Sequence, residues 1–352
     1  MRIALINDVH FGTRDDSPIF HDHIERFFEK EFFPRLIAEN ITTVMCLGDL
    51  FDKRKTINFY TLSRVKEYFF NRLAQLNIKL IILVGNHDVL YKSSNEINSP
   101  SQLLKDYQNI TVLVNPTKLD LGGKMFDIIP WINKQNYQET IDFINSSSSM
   151  VCFAHLELEG FIFQQGVVAE HGMSSSIFSQ YHSVLTGHYH SKSSQKNIHY
   201  LGSQYDLTWA DYGEKKYWHI FDTDTFELIA NENPQKMFIK LYYSDEGENF
   251  EQELKDANFR DLTNRVVKVI IRSRSNPVLF DMFMSKINAT VPFEVTVVDE
   301  EAYSEAGASD IDILVADTHE ILKASVERVD VNVDKVKLLS FMNTLYIEAS
   351  TC

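Results

Sequence analysis

Cysteine is scarce and scattered, with only Cys46, Cys152 and Cys352 in 352 residues. Neither a disulfide framework nor a cysteine-rich zinc site can be built from so few at such spacing. A reducing, intracellular setting is therefore expected. Long apolar runs are missing too. No stretch approaches the ~18 consecutive apolar residues of a membrane span, so no membrane contact is expected. The N-terminal MRIALINDVHFG breaks its short apolar run at Asp8 and His10, too early for a secretory signal. There is no internal repeat, and the serines at 146–149 read as a short polar loop. Positive charge is also in deficit, with 34 Lys and Arg against 49 Asp and Glu and a net charge of -15. That excludes a protein that coats nucleic acid through a broadly basic surface, but not an enzyme with a local basic groove.

What remains is an ordinary folded composition, 44% apolar and 24% charged. At ~100–200 residues per domain, two domains are expected. The first two hundred residues alternate β-rich runs with helical patterns. Strands are expected at 3–6, 42–47, 79–84, 111–114, 125–129, 151–154, 183–186 and 218–221. Ser17-Pro18 is a helix start with Pro at the first helical position. Val65, Phe69 and Leu73 form one stripe of a helix over 61–76. Early alternation followed by strand-rich sequence suggests a layered α/β domain over 1–230, not a plain doubly wound sheet. A small α/β unit is expected over 231–298, with strands at 238–243, 266–271 and 293–298 and a helix at 278–287. Residues 299–317 carry seven carboxylates and no Lys or Arg, which reads as a solvated linker. Two helical patterns close the chain over 318–352.

Four strand ends carry the same class of side chain: Asp8-Val9-His10, Gly48-Asp49-Leu50-Phe51-Asp52, Gly85-Asn86-His87-Asp88 and Gly187-His188-Tyr189-His190. His155 adds a fifth, after the strand at 151–154. Open α/β sheets build sites outside the carboxyl ends of their strands. An x-y-x spacing on extended chain puts both side chains on one side. Carboxylate, amide carbonyl and neutral imidazole are ligands for divalent transition metals. Asp8, His10, Asp49, Asn86, His155, His188 and His190 are too many for one tetrahedral site. They suit two metals sharing a bridging carboxylate, an arrangement that serves phosphoryl displacement. The remaining histidines, His21, His23, His171, His182, His199, His219 and His319, have no such context and read as packing or surface residues.

Taken together, these motifs resemble the signature of the calcineurin-like metallophosphoesterases over about residues 1–222. Gly48-Asp49-x-Phe51-Asp52, Ile129-Pro130-Trp131 and the order of the later segments narrow the resemblance. They are similar to the nuclease subunit of SbcCD-type DNA repair and recombination complexes, in the short form carried by tailed bacteriophages. The resemblance implies a two-sheet β sandwich flanked by helices, a small α/β capping domain that meets DNA, a linker and a C-terminal helical pair. It implies one metal on Asp8, His10, Asp49 and His190, a second on Asp49, Asn86, His155 and His188, and Asp49 as the bridge. Manganese is the usual metal in the family, with magnesium, iron and zinc as alternatives. His87 would stabilise the transition state or protonate the leaving oxygen, kept charged by Asp88 or Asp52. A metal-bound hydroxide would attack phosphorus, giving exonuclease and endonuclease activity. Some relatives carry histidine where this chain has Asp52, so Asp52 receives no catalytic part.

DNA, a coiled-coil ABC-type ATPase of the SbcC kind and a second copy of the chain are the implied partners, in the cytoplasm of a host cell if the gene is a phage's. Lys53, Arg54 and Lys55 follow the second metal motif and Lys192 the last, where they could meet phosphates or simply solvate a turn. Lys268, Arg272 and Arg274 alternate along a strand and could form a basic stripe. Leu338, Met342 and Leu345 on the last helix, with Ile321 and Leu322 on the one before, form the apolar face expected to bind the ATPase. Dimer contacts are expected near 61–76 and 101–107. Two other readings stand beside the nuclease: another phosphodiesterase or phosphatase of the same fold, and a non-catalytic scaffold.

Overall fold

The computed structural model describes residues 1–164 and 167–299, together with 326, 334, 335, 337–339, 341, 342 and 345. The acidic stretch expected as a linker, with Ile321 and Leu322, lies outside the described residues apart from Asp299. The chain divides into two compact units. One contains Met1–Tyr205 and Gly213–Gln235, the other Asp206–Tyr212 and the described residues from Lys236 to Leu345.

The first unit is a two-sheet sandwich of mixed α/β type. One sheet runs in the order Leu228–Asn233, Lys216–Asp222, Arg2–Ile6, Thr43–Cys46, Lys79–Leu83, Ile110–Leu113. Its last four strands are parallel. Their near-continuous Ile, Leu and Val content follows from burial on both faces. The other sheet runs Ser193–Gln195, Ile198–Tyr200, Ser183–Gly187, Val151–His155, Met125–Ile129, Thr117–Asp120. Alternate residues of the two sheets meet in a shared core: Ile3, Leu5, Met45, Leu47, Ile81 and Leu83 against Phe126, Ile128, Phe153 and Leu185. The central strands lie where the apolar runs place them. The edge strands at 117–120 and 193–195 are mostly polar and 228–233 is apolar only over Leu228–Ala230, so none carries such a signal. The last of them crosses the boundary expected at 230.

Helices cover the outer face of the first sheet. Pro18–Phe27 starts at Pro18, and Asn58 accepts from the Tyr60 N–H at 2.9 Å to cap Phe59–Val65. Both helical segments widen into a π turn, at Phe28–Phe32 and Lys66–Phe70. The extra residue in each turn lets neighbouring aromatics face inward together. Phe27, Phe28, Phe32, Phe33, Phe69 and Phe70 are all buried, and Phe28 and Phe69 meet with ring centroids 4.5 Å apart. Phe11, just past the Asp8–His10 turn, packs on Phe69 at 5.4 Å. The aromatic cluster therefore backs directly onto the first site loop. The stripe Val65, Phe69 and Leu73 of the helix near which dimer contacts are expected is itself buried in the core.

The second unit has three parallel strands, Phe238–Ser244, Val266–Ser273 and Glu294–Asp299, with helices Phe250–Asp256 and Pro277–Asn288 on one face. Tyr243, Val267, Val269, Ile271, Leu254, Phe283 and Ile287 form its core. On the opposite face the Lys240 ammonium lies over the Tyr212 ring, Lys268 over Trp209 and Arg272 over Tyr242. Arg274 does not continue this stripe. Its guanidinium lies over Phe280 of the helix layer and pairs with Asp299 at 3.5 Å. The strand ends at Ser273, so alternation no longer governs the residue after it. Residues 206–212 join this unit through Asp206, which accepts from the Met237 N–H at 3.0 Å, and through Trp209, whose ring meets that of Phe238 at a centroid distance of 4.9 Å. On the last helix Leu338 and Met342 are half-buried and Leu345 is exposed. Among the described residues no helix is long and apolar enough to cross a membrane.

Candidate metal centre

The site lies in the first unit, beyond the carboxyl ends of its parallel strands. The chain leaves Arg2–Ile6 and Thr43–Cys46 in two interlocked loops. Asp8 N donates to Gly48 O at 3.0 Å, and Val9 N and His10 N donate to Asp49 O at 2.9 and 3.1 Å. The Tyr205 hydroxyl donates to Val9 O at 2.7 Å. These bonds hold Asp8, His10 and Asp49 in left-handed backbone, with φ of 49°, 49° and 53°, and His188, whose N–H donates to the Asp8 carboxylate at 3.0 Å, has φ of 96°. For side chains other than glycine this conformation costs of order 1–3 kcal/mol each, and it persists where surrounding structure over-determines it. Gly48, with φ 98°, admits no side chain at all, since a Cβ there would sit 2.2 Å from His155 Nδ1. At Gly85 a Cβ would sit 2.3 Å from Asp49 N. These two glycines let the loops close on the candidate metal-binding side chains.

All seven predicted ligands, and His87, converge here and are buried except the half-buried His190. Asp8, His10 and His190 form one cluster whose ligand atoms lie within 4.8 Å of one another, and Asp49, His155 and His188 form a second. Asp49 Oδ2 lies 3.5 Å from His155 Nε2 and 3.9 Å from His10 Nε2, between the two. Asn86 Oδ1 is 2.9 Å from both His155 Nε2 and His188 Nδ1.

The donor set fits cations. His10 Nε2 and His190 Nε2 face each other at 3.1 Å, two imidazole lone-pair positions aimed at one point. His188 Nδ1 and His155 Nε2 converge on Asn86 Oδ1, while His188 Nε2, on the far side of its ring, is buried without a hydrogen-bond partner. The other nitrogen of His155, Nδ1, donates to Leu47 O at 2.7 Å, which fixes the tautomer that leaves Nε2 for a ligand.

Electrostatics point the same way. Burial would raise Asp49, but His155, His87 and His10 reverse this and hold it well below the usual carboxylate range. Burial would lower His10, yet Asp52, Asp49 and Asp8 bring it up to about 9. His155 is likewise depressed by burial and carried to about 9, chiefly by Asp49 and Asp8. Burial raises Asp8, against the pull of His155. His188 falls well below the ordinary imidazole value through burial and the neighbouring His155 charge. Without metal, protons on His10 and His155 thus supply the positive charge that the carboxylates demand. A metal must displace them, because coordination needs the free lone pair.

His87 sits differently from the expectation that Asp88 or Asp52 keeps it charged. Asp88 faces away, accepting from Leu50 N, Phe51 N and Gly85 N at 3.0, 3.3 and 2.9 Å. Burial raises it to about 7, and its work is to tie the second and third motifs together. The Asp52 carboxylate turns to His10 Nδ1 at 3.3 Å. Only the Asp52 carbonyl meets His87, at 2.6 Å from Nδ1. Burial accordingly lowers His87, with Asp49 opposing.

Two supporting roles escaped the sequence reading. Asn7 donates to Asp8 Oδ2 at 2.5 Å and to Gly202 O at 3.0 Å. A polar residue ending an apolar strand was its one signal. The Trp131 ring lies 5.3 Å from that of His188 and walls the second cluster. The basic residues after Asp52 have separate tasks. Lys53 pairs with Asp15 and Asp16 at 3.2 and 3.0 Å. Arg54 Nε donates to the carbonyl of Asn86 at 2.7 Å and so positions a candidate ligand. Lys55 is exposed. Lys192 lies over the Tyr217 ring at 4.7 Å. Of the histidines set aside, His21 is buried and bonded to Thr61 Oγ1 at 2.8 Å, and His23 and His219 are also buried.

A family model described as calcineurin-like phosphoesterase matches residues 1–272. The chain is 29% identical to exonuclease subunit 1 of Enterobacteria phage T4 over 354 aligned positions, covering 99% of this chain and 100% of that one. Among solved structures, a novel archaeal phosphodiesterase aligns at 14% identity with a TM-score of 0.34, over 66% of this chain and 100% of its own. That likeness is too loose to bear on function.

Proposed function

The chain belongs to the calcineurin-like phosphoesterase family, and from that premise we propose that it is a DNA nuclease, exonucleolytic and endonucleolytic, working at a two-metal centre. The observation that carries this reading is Asp49, whose Oδ2 lies within 4 Å of a ligand nitrogen in each of two His/carboxylate clusters. The full-length similarity to a relative named as an exonuclease subunit supports DNA as the substrate.

In this reading Asp8, His10, Asp49 and His190 hold one ion, and Asp49, Asn86, His155 and His188 the other. Two divalent cations supply the charge neutralisation and nucleophile activation that phosphodiester hydrolysis needs. Mixed oxygen and imidazole donors suit manganese, with magnesium, iron and zinc as rivals. The chain's own part is positioning. Leu47 O orients His155, Arg54 holds the Asn86 backbone, and Asp88 locks the loops that carry Asp49 and Asn86. His87 donates its Nδ1–H to the Asp52 carbonyl, and because burial favours the neutral ring, Nε2 must take up a proton before it can pass one to the leaving oxygen.

Labelled linear DNA and bis(p-nitrophenyl) phosphate, each with and without manganese, test this together. We expect metal-dependent cleavage of both. Hydrolysis of the small ester alone would favour a phosphodiesterase of other specificity, and no hydrolysis of either would favour a scaffold.

The relative's name as a subunit supports a partner. We assign it to the last helix, as an SbcC-like ATPase docking on Leu338, Met342 and Leu345 with Ile321 and Leu322. Phe341 and Leu345, one helical turn apart, are 59% and 42% exposed. A chain ending near Asp317 is expected to hydrolyse the small ester normally and to lose co-purification with the ATPase. Retained binding would move the partner surface elsewhere. A homodimer, in the cytoplasm where its DNA lies, completes the reading, and sedimentation of the purified chain checks the pairing.

A further inference from the structure

We propose that the open cavity beside His87 is a subsite for the nucleotide next to the scissile phosphate, with Tyr91 stacking on its base and Lys55 and Lys92 receiving the following phosphate. The proposal rests on the nuclease reading and adds to it residues that no ligand or family motif includes.

The cavity holds about 740 Å³, well inside the ~300–1,000 Å³ of ordinary ligand sites. One wall is the segment Asp52 to Thr56, which follows the Asp49 motif, and the other is the turn from Leu90 to Ser93. His87 also lines it, and this ring touches His10 of the first cluster at a centroid distance of 4.8 Å. The second wall belongs to a hairpin of Val89–Tyr91 and Ser94–Asn98. That hairpin is anchored to the site at its base. Asn95 Nδ2 donates to Trp131 O at 2.8 Å, and the Asp88 carbonyl accepts from Ser99 N at 2.8 Å. Tyr91 and Lys92 are therefore held at a set reach from His87.

The lining chemistry selects a polyanion with flat apolar faces. Four cations border the cavity against one carboxylate, Asp52, and that carboxylate is turned to His10. Lys53 and Arg54 are committed to Asp15, Asp16 and the Asn86 carbonyl. Lys55 and Lys92 lie exposed at the rim. In a chain of net charge -15 this is a local reversal of sign at the mouth of the site. Tyr91 is 60% exposed and borders the same space. An aromatic ring beside ammonium groups is how single strands are held without regard to sequence. A small ester has neither a base to stack nor a second phosphate, so the subsite discriminates polynucleotides from simple diesters.

The full-length protein with manganese is assayed on a single-stranded oligonucleotide and on bis(p-nitrophenyl) phosphate. Tyr91→Ala and Lys92→Gln alter exposed side chains outside the ligand set, and thermal melting confirms the fold. Each variant is expected to raise KM for the oligonucleotide about 10-fold, the loss of one stack or one phosphate contact. Its kcat/KM on the small diester stays within about twofold of the wild type, and Tyr91→Phe retains oligonucleotide binding. If the wild type cleaves both substrates and neither variant changes KM for the oligonucleotide, the subsite is wrong and the nuclease reading stands. If the wild type hydrolyses the small diester and leaves oligonucleotides intact, the nuclease reading falls and takes the subsite with it.

Discussion

Asp49→Asn lowers phosphodiester hydrolysis by about 10³-fold or more, with loss of bound metal. Charge stabilisation by paired metals is worth several kcal/mol, and each ~1.4 kcal/mol is tenfold in rate. The carboxylate is 2% exposed and lies between His10 and His155, and its Oδ1 also accepts from the His87 N–H at 2.7 Å. The imidazoles around it hold it ionised far below its ordinary range despite burial. Asparagine keeps the shape but brings no charge to set against two cations. Its NH2 group would also present a donor where only acceptors serve. Turnover of a chromogenic diester and metal content by elemental analysis are the measurements. A variant that retains more than about a tenth of the wild-type rate would sink the bridging assignment.

His87→Asn should cost turnover roughly 10²–10⁴-fold if the ring carries a proton to the leaving oxygen, while both metals stay. The ring is outside both ligand clusters. It touches His10 edge-on at a centroid distance of 4.8 Å and is anchored by the Asp52 carbonyl. The bond from His87 to Asp49 comes from the backbone, so substitution of the side chain leaves it in place. The change therefore separates chemistry from metal retention. A crystal of the variant missing one ion would show that the imidazole is a ligand and that its assigned role is mistaken.

The contrast between these two residues is also a contrast in what could be read from the chain. Asp49 stands in a motif whose meaning is local: a glycine, an acid and an apolar strand before them. The partners that make His87 neutral-leaning are not local. From the sequence, Asp88 is its neighbour and the natural charge partner. In the fold Asp88 is drawn into three backbone N–H bonds and Asp52 turns its carboxylate to His10. Adjacent residues on a tight turn point in different directions, and spacing cannot say which direction meets the site. The same holds for Lys53 and Arg54. They are consecutive cations in the sequence, but one is spent on Asp15 and Asp16 and the other on a backbone carbonyl.

Strand cores, the order of elements and the Asp, Asn and His residues that converge at the strand ends were legible from residues alone. Each rests on a short-range regularity: runs of Ile, Leu and Val where both faces are buried, and Asp, Asn and His where such runs end. Left to the tertiary structure were the pairings between residues far apart in the chain. The 206–212 segment joins the second unit because Asp206 and Trp209 meet Met237 and Phe238, some thirty residues on. Arg274 leaves the basic stripe because its strand ends one residue earlier. His188 Nδ1 meets Asn86 Oδ1 across 102 positions of the chain. A one-dimensional pattern specifies which face a residue takes within its own element. Which other element covers that face depends on how sheets and loops pack, and that is settled only when the whole chain has folded.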